Sequence, residues 1–449
     1  VNSNQDLIYE GKLKIFCFIK MLLTIHSCRI CKSKQMYTVV DLGYQYLTSR
    51  FPKLNDPNTP IAPMVLTKCT NCGLVQLRDS LNSNEMYENQ YGYRSGISNT
   101  MRNHLLKYNE EIRSKVNIQD NDHILDIGCN DGTMLRFFPD GKKVGIDPTA
   151  IQFSSYHEGL EIIPNYFTFQ NLYEKIDSSI KFKVISSISM FYDLPDPAQF
   201  AKDVARCLDD EGLWTLEQSY IGTMIERNSF DTICHEHLEY YALKQIVYIA
   251  NMADLKIIDV EFNDCNGGSF RLYMAKKNSQ YKECTARINE ILVKEMYLDD
   301  LNTYFDFMKK CNNEMDKLKL FIETIHKNGK RIYIYGASTK GNTLLQYIDA
   351  SNQIIPFAVE RNLDKVGRMT PGTNIEIISE ETMRKNAPEY LIVLPWHFRE
   401  EIIQREDEYL NKGGQLIFPL PKFDIVSKKE NVLITGIDGQ IGCEIKKNI

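Results

Sequence analysis

The chain has 449 residues, 43% hydrophobic and 25% charged, with a formal net charge of −6. At roughly 150 residues per domain this length implies about three domains of ordinary globular composition. The acidic balance excludes a general attraction to nucleic acid or anionic lipid, and no apolar run approaches the ~20 residues that span a bilayer; small-molecule partners are expected.

Residues 1–20 read as an upstream extension that is not native, with Met21 as the start. Ile15–Ile19 followed by Met21–Leu23 comes nearest to a signal segment, but no small-residue cleavage site follows it. Of twelve cysteines, four stand in two Cys-x-x-Cys pairs and the others are scattered singly. That pattern points to a metal site in a reducing, cytoplasmic setting rather than a disulfide framework.

Residues 21–93 are turn-rich, with Pro52, Pro57, Pro60 and Pro63 between the cysteine pairs, and need an external staple. Ile97, Met101, Leu105, Tyr108 and Ile112 then recur at helical spacing. Short buried strands are predicted at His123–Ile127, Val144–Ile146, Val184–Ile188 and Leu213–Leu216, with a helix over Pro197–Leu208 that carries proline in its first turn. Such alternation gives a largely parallel sheet with helices on both faces over residues 94–277. A helical connector over 278–328 leads to a second α/β unit at 329–425. There Arg331–Tyr335 is a strand, Gly336–Gly341 a turn and the stretch to Tyr347 a helix, with further strands at Pro356–Val359, Tyr390–Leu394 and Gln415–Phe418. In the last segment, 426–449, Asn431–Gly442 reads as a strand, a Gly-x-x-Gly-x-x-Gly turn and a helix start. It resembles the opening of an NAD-binding epimerase or dehydratase, so a fusion to such a domain at the C-terminus is expected.

Three constellations carry chemistry. Cys28 and Cys31 with Cys69 and Cys72 supply four thiolates at the spacing of a closed, structural zinc site, and Gly73 suits the sharp turn of the knuckle. Four unliganded buried cysteines are the bland alternative. Next, the strand Ile124–Ile127 delivers Gly128-Cys129-Asn130-Asp131-Gly132, a glycine turn whose backbone can approach a ligand. Asp147 lies 19 residues beyond Gly128, at the end of the next strand, where a carboxylate can accept both ribose hydroxyls of an adenosine. Asp126, Gly128, Asn130, Asp131, Gly132 and Asp147 are the candidate cofactor residues, and a generic nucleotide-binding turn stays open. The third is Asp231–Tyr241, with His235, Glu236 and His237 at its centre, a concentrated supply of proton-transfer groups. Its spacing is not that of a zinc protease, and a solvated helix start is the alternative.

Together these features resemble the sugar-nucleotide C-methyltransferase family, over approximately residues 26–425. The resemblance is carried by both cysteine pairs, Tyr91–Ser95, Asp126–Gly132, His235–His237, Asn266–Ser269 and Tyr335–Gly341. It implies a class I methyltransferase doubly wound sheet, a small N-terminal zinc domain and a C-terminal Rossmann-like domain, with S-adenosylmethionine and structural zinc as cofactors. It implies His237 as the base that removes a proton beside the ketone of a nucleotide-sugar substrate. Glu236, His235 and Tyr91 or Tyr93 would stand beside it. Titration near neutrality would suit His237 to that role. Cys234, Asn266 and Gly268 fall among the substrate-binding positions, and Gly336, Lys340 and Gly341 would hold the substrate's phosphates. Cys234 is a departure, since sugar C-3-methyltransferases carry tyrosine there and a thiol does not reproduce a phenol's hydrogen bonding. Met190–Asp193 likewise points to a subgroup of its own. An O- or N-methyltransferase and a non-catalytic nucleotide-sugar or nucleic-acid-binding module remain the other readings.

Overall fold

The computed structural model describes residues 22–54, 59–81, 86 and 93–428. The extension over 1–20, Tyr91 and the glycine-bearing tail over 431–442 lie outside the described residues. Among the described residues no helix is long and apolar enough to cross a membrane.

The cysteine-rich region is built of strands rather than turns: β1 (Leu23–Thr24), β2 (Met36–Tyr46), β3 (Ile61–Cys69), β4 (Val75–Leu77) and β5 (Asp79–Ser80). β1 pairs with β5, and β2, β3 and β4 form an antiparallel sheet. Pro63 does not break β3. It faces Tyr44 beside the register shift between Asp41 and Tyr44, and a bulged ladder tolerates a residue without an N–H. Val39, Val40 and Leu42 are all buried on β2, which obscures the two-residue period expected of a strand.

β6 (His123–Ile127), β7 (Lys142–Ile146), β8 (Glu161–Ile163), β9 (Phe182–Ile188) and β10 (Leu208–Ser219) run parallel. After β11 (Glu239–Tyr240), strands β12 (Leu255–Asn263) and β13 (Ser269–Lys276) complete the order β12-β13-β10-β9-β6-β7-β8, with β13 running antiparallel to both its neighbours, β12 and β10. Helix Asn99–Lys115 packs with Ile124, Val184 and Leu213, and helix Pro197–Cys207 with Leu125, Ile185 and Trp214. These are consecutive residues of the same strands, and successive side chains point to opposite faces, so the two helices cover opposite faces of the sheet. The chain reverses its winding at β6, with β7 on one side and β9 on the other. Doubly wound sheets bind ligands outside the strand ends at that point.

Helices Thr285–Lys294 and Leu301–Lys327 lead into a second sheet. There β14 (Ile332–Tyr335), β15 (Phe357–Glu360), β16 (Glu376–Ser379), β17 (Tyr390–Val393) and β18 (Gln415–Phe418) are parallel, and β19 (Asp424–Val426) is an antiparallel edge. The order β16-β15-β14-β17-β18-β19 places a second reversal at β14.

The three units are bonded into one another. β11, from the middle of the chain, pairs antiparallel with β4 and completes the N-terminal sheet. Helix Thr339–Tyr347, just after β14, directs its polar side chains at the other two units. Asn342 Nδ2 donates to Thr48 O (2.7 Å), Thr343 Oγ1 to Ile233 O (2.8 Å) and Gln346 Nε2 to Tyr46 O (3.2 Å). Around it one apolar cluster runs through Met64 and Leu66, Phe230 and Ile233, Phe307, and Ile334 and Leu345. Removing a donor from a buried carbonyl costs about 1–3 kcal/mol. Thr343→Val should therefore lower stability by roughly that amount, seen as an earlier urea midpoint with the fluorescence of both tryptophans changing together.

Candidate active site and metal site

The four cysteines of the two pairs converge. Cys28 Sγ lies 3.5 Å from Cys72 Sγ, Cys31 Sγ lies 3.5 Å from Cys69 Sγ, and all four sulfurs fall within 4.8 Å of one another. Sulfurs at ~2.3 Å from a tetrahedral zinc stand about 3.8 Å apart, so the cluster fits that ion with no open position. Gly73 takes φ 79° and donates its N–H to Cys69 O (2.9 Å), closing the knuckle. Arg29, inside the first pair, is buried and donates to Leu77 O (2.7 Å) and Leu238 O (3.4 Å), with Glu239 Oε1 3.4 Å from its Nε. Gln245 Nε2 donates to Cys72 O (2.9 Å). The metal site is thus fastened to the segment that follows His235-Glu236-His237.

At the β6 reversal a cavity of ≈ 380 Å³ opens between the Gly128 turn, Asp147, the Ser189–Met190 turn and the Tyr93–Ser95 segment. Gly128 has φ 76°, and a Cβ there would meet Met190 Cγ at 3.0 Å. The bare turn is what leaves the space, which fits an adenosine ligand. Asp147 is buried on the wall; its Oδ2 accepts from Asn130 N (2.8 Å) and its Oδ1 from Thr149 N (2.6 Å). Asp126 lies behind the turn, accepting from Ser186 Oγ (2.6 Å), and burial pushes its carboxyl up to about 7. It does not line the cavity.

Asn130 and Asp131 work through their side chains on the chain in front of the pocket. Asn130 Oδ1 accepts from Ser95 N (3.0 Å), its Nδ2 donates to Tyr93 O (3.2 Å), and Asp131 Oδ2 accepts from Gly96 N (2.9 Å). They clamp the Tyr93–Gly96 strap across the cavity, and Tyr93 itself is on the wall. Gly132 supplies a positive φ of 75° where a Cβ would meet Leu160 at 2.5 Å.

The Asp231–Tyr241 segment is not a helix start: after one 3-10 turn at Phe230–Thr232 it runs irregularly into β11. His235 is fully buried and faces the N-terminal sheet, its Nε2 3.3 Å from Ala62 O. Glu236 is buried beside it, 3.5 Å from Thr48 Oγ1. His237 points elsewhere. Its Nδ1 is 2.8 Å from Thr232 O and its ring lies 4.1 Å from that of Tyr192, which adjoins the cavity-lining Met190 and Asp193. A carbonyl only accepts, so in the neutral ring Nδ1 carries the hydrogen and Nε2 the lone pair. Titration near neutrality does not hold: burial, then the nearby Lys340 ammonium, pushes His237 down to about 3. Cys234 is buried and its thiol is driven upward by burial, so it is neutral.

Lys340 is brought to this place from the second sheet, where its Nζ donates to Asn266 O (2.6 Å). The turn it opens is tightly packed. A Cβ on Gly336 would meet Pro395 Cδ at 2.6 Å, one on Gly341 would meet Leu394 at 2.5 Å, and Gly341 N already donates to Ser338 Oγ (3.0 Å). These glycines serve close contact with the Leu394–Pro395 segment that follows β17, which leaves no open phosphate cradle between them among the described residues. Asn266 has φ 53° and its Nδ2 donates to Ser189 Oγ (3.3 Å), while a Cβ on Gly268 would collide with Thr223.

Sequence reading did not single out several neighbours. Trp396 Nε1 donates to Asp231 Oδ2 (2.8 Å), His397 follows it, and burial and then Lys340 push His397 down to about 3. The signal was a Pro-Trp-His run directly after a strand at the second reversal. Buried Glu217, at the end of β10, accepts from Arg271 Nε (2.8 Å) and Asn263 Nδ2 (2.9 Å), with His104 Nε2 at 2.5 Å. With a guanidinium already on it, this carboxylate serves to tie helix Asn99–Lys115 to the sheet.

Comparison with known proteins finds three families matching in order along the chain. They are a zinc binding domain over residues 28–87, a methyltransferase domain over 101–260 and a C-methyltransferase C-terminal domain over 264–421. The C-methyltransferase NovU of Streptomyces niveus is 26% identical over 415 residues, covering 91% of this chain and 98% of that protein. A tRNA U34 carboxymethyltransferase of Campylobacter lari is 30% identical over 125 residues, 26% of this chain and 40% of that protein. Among solved structures, an S-adenosylmethionine-dependent methyltransferase of Clostridium acetobutylicum covers 40% of this chain and 93% of its own, at 11% identity and a TM-score of 0.31.

Two outcomes follow. Cys69→Ser should lose one equivalent of zinc by atomic absorption and shift the melting temperature sharply downward, since a structural site contributes on the order of 10 kcal/mol; unchanged zinc content would refute the four-sulfur assignment. His237, neutral because its folded value is depressed, should show no imidazole titration by NMR between pH 5 and 8. The unfolded chain takes up that proton near pH 6.5, so the contribution of His237 to stability is full above that pH and declines as pH falls toward 3.

Proposed function

Because the chain belongs to the C-methyltransferases that join a zinc-binding domain, a methyltransferase domain and a C-methyltransferase C-terminal domain, we propose that it methylates a carbon beside the ketone of a nucleoside-diphosphate ketosugar. It is an S-adenosylmethionine-dependent methyltransferase with a four-cysteine zinc site. The observation that carries the finer reading is the His237 imidazole. It is held neutral, with no partner on Nε2 among the described residues, next to the turn that walls the cofactor cavity and within reach of the Lys340 charge. The crevice at the Gly128 turn suits the cofactor's adenosine.

In this reading Asp147, the Gly128 turn and the Tyr93–Ser95 strap hold S-adenosylmethionine. When bound, it supplies an electrophilic methyl carbon on a positively charged sulfur. The residues of the chain handle the proton. His237 Nε2 removes it from the carbon beside the ketone, the C–H electron pair becomes the new C=C bond, and the carbonyl π pair moves onto the ketone oxygen. Thr232 O keeps the ring in the required tautomer throughout.

Incubation with methyl-labelled cofactor and a panel of nucleoside-diphosphate ketosugars should give one product heavier by a labelled methyl on carbon, located by NMR. His237→Ala should reduce turnover by about 10²–10⁴-fold, the range of a general base, with cofactor affinity nearly unchanged by calorimetry. Label on oxygen or nitrogen, with no exchange of a substrate C–H in heavy water, would replace the C-methylation reading.

A further inference from the structure

The proton transfer described above faces an electrostatic obstacle. His237 starts neutral and must become an imidazolium in a buried site that already contains a cation. Two like charges in low dielectric repel strongly. Negative charge that develops beside both groups at the same moment would offset that repulsion.

The cation is Lys340, and its surroundings are specific. It stands at the start of helix Thr339–Tyr347, which the bonds from Asn342 and Thr343 fix against the other two units. One Nζ–H donates to Asn266 O at 2.6 Å, on the Cys265–Gly268 turn whose backbone angles are set by Asn266, Gly267 and Gly268. Facing the ammonium are Asp231, Cys234 and Cys265, together with His237 and His397. The two thiols are neutral, driven upward by burial. The Asp231 carboxyl is also driven upward by burial and is turned to the Trp396 indole at 2.8 Å. An ammonium carries three donors, so two remain beyond the Asn266 contact, in a group close enough to His237 for its charge to be felt there. Surface phosphate capture does not explain this placement, because the glycines beside Lys340 are packed against Leu394 and Pro395.

Resting on the ketosugar reading, we propose that Lys340 is a further catalytic residue, whose ammonium hydrogen-bonds the ketone oxygen as that oxygen becomes an enolate, with Asn266 fixing its position. The carbon's proton goes to His237 Nε2, the C–H pair forms the C=C bond and the π pair comes to rest on the oxygen beside Lys340. The site then holds plus, minus, plus rather than two adjacent cations. Burial first, and then the Lys340 charge, make His237 a weak base; that same charge makes the substrate a stronger acid. A preorganised donor of this kind is worth about 10²–10³ in rate.

The test uses the full-length, zinc-loaded enzyme in heavy water with S-adenosylhomocysteine and a nucleoside-diphosphate ketosugar that the wild type methylates. Lys340→Met should slow exchange of the substrate C–H by about 10²–10³-fold. The KM for the sugar nucleotide should stay within about threefold and cofactor affinity, which reports folding, should be unchanged. Lys340→Arg should retain part of the rate, and added ethylamine should restore part of it to Lys340→Ala. In Lys340→Met the His237 imidazole should titrate at higher pH than in the wild type, a measurement that needs no substrate. Wild-type exchange rates in Lys340→Met, or a defect confined to KM, would overturn the role of Lys340 and leave His237 and the ketosugar reading standing. A wild type that methylates without exchanging any C–H would remove the ketone reading and this proposal with it.

Discussion

The segment from Asp231 to Leu238 has no ladder or helix of its own beyond one 3-10 turn, yet it is almost wholly buried. Backbone carbonyls and amides cannot be buried unpaired, so every neighbour must supply a partner, and the assembly is arranged around that requirement. Thr232 O is met by His237 Nδ1, Ile233 O by Thr343, Leu238 N by Tyr192 O, and Leu238 O by Leu77 N. The partners come from the segment itself, the C-terminal unit, the methyltransferase sheet and the zinc unit. None of the three units could fix this stretch alone, which gives a physical reason for their union in one chain.

The zinc ion's contribution follows from the same constraint. A closed four-sulfur shell has no chemistry to offer substrate, but it sets the backbone on either side of Arg29. That guanidinium reaches the Leu77 and Leu238 carbonyls and lies against the buried Glu239 carboxyl. A buried pair of this sort contributes little net stability and mainly fixes geometry, since breaking it strands a charge. The metal therefore acts on the active site through position, two residues away from His237.

Much of the fold was legible because its signals are local. β6, β14, β17 and β18 show as short apolar runs with turn residues at their ends, and Pro197 in the first turn marks a helix start. The paired cysteines and the Gly128 turn carry their chemistry in their spacing. What stayed hidden is long-range or compensated. β2 is masked by burial on both of its faces and β3 by Pro63, which a bulge accommodates, and β12 and β13 mix charged and apolar residues that only the finished sheet sorts by face. At the site, the lowered basicity of His237 depends on its burial by the assembled units and then on a lysine some hundred residues away. The roles of Asn130 and Asp131 as clamps depend on a strap that precedes them by 35 residues. Local pattern named the right neighbourhood; the partners within it were set by topology.

The pairing of β4 with β11 also bears on how the protein is made. Translation runs from the N-terminus, so β4 leaves the ribosome as a bare edge and finds its neighbour only after residue 240 has emerged. An unpaired edge is a template for pairing with other chains, and the delay spans the synthesis of nearly the whole methyltransferase sheet. Early metal capture by the cysteines would hold the nascent sheet in shape through that interval, so zinc supply during growth bears on the yield of folded protein as well as on its final stability.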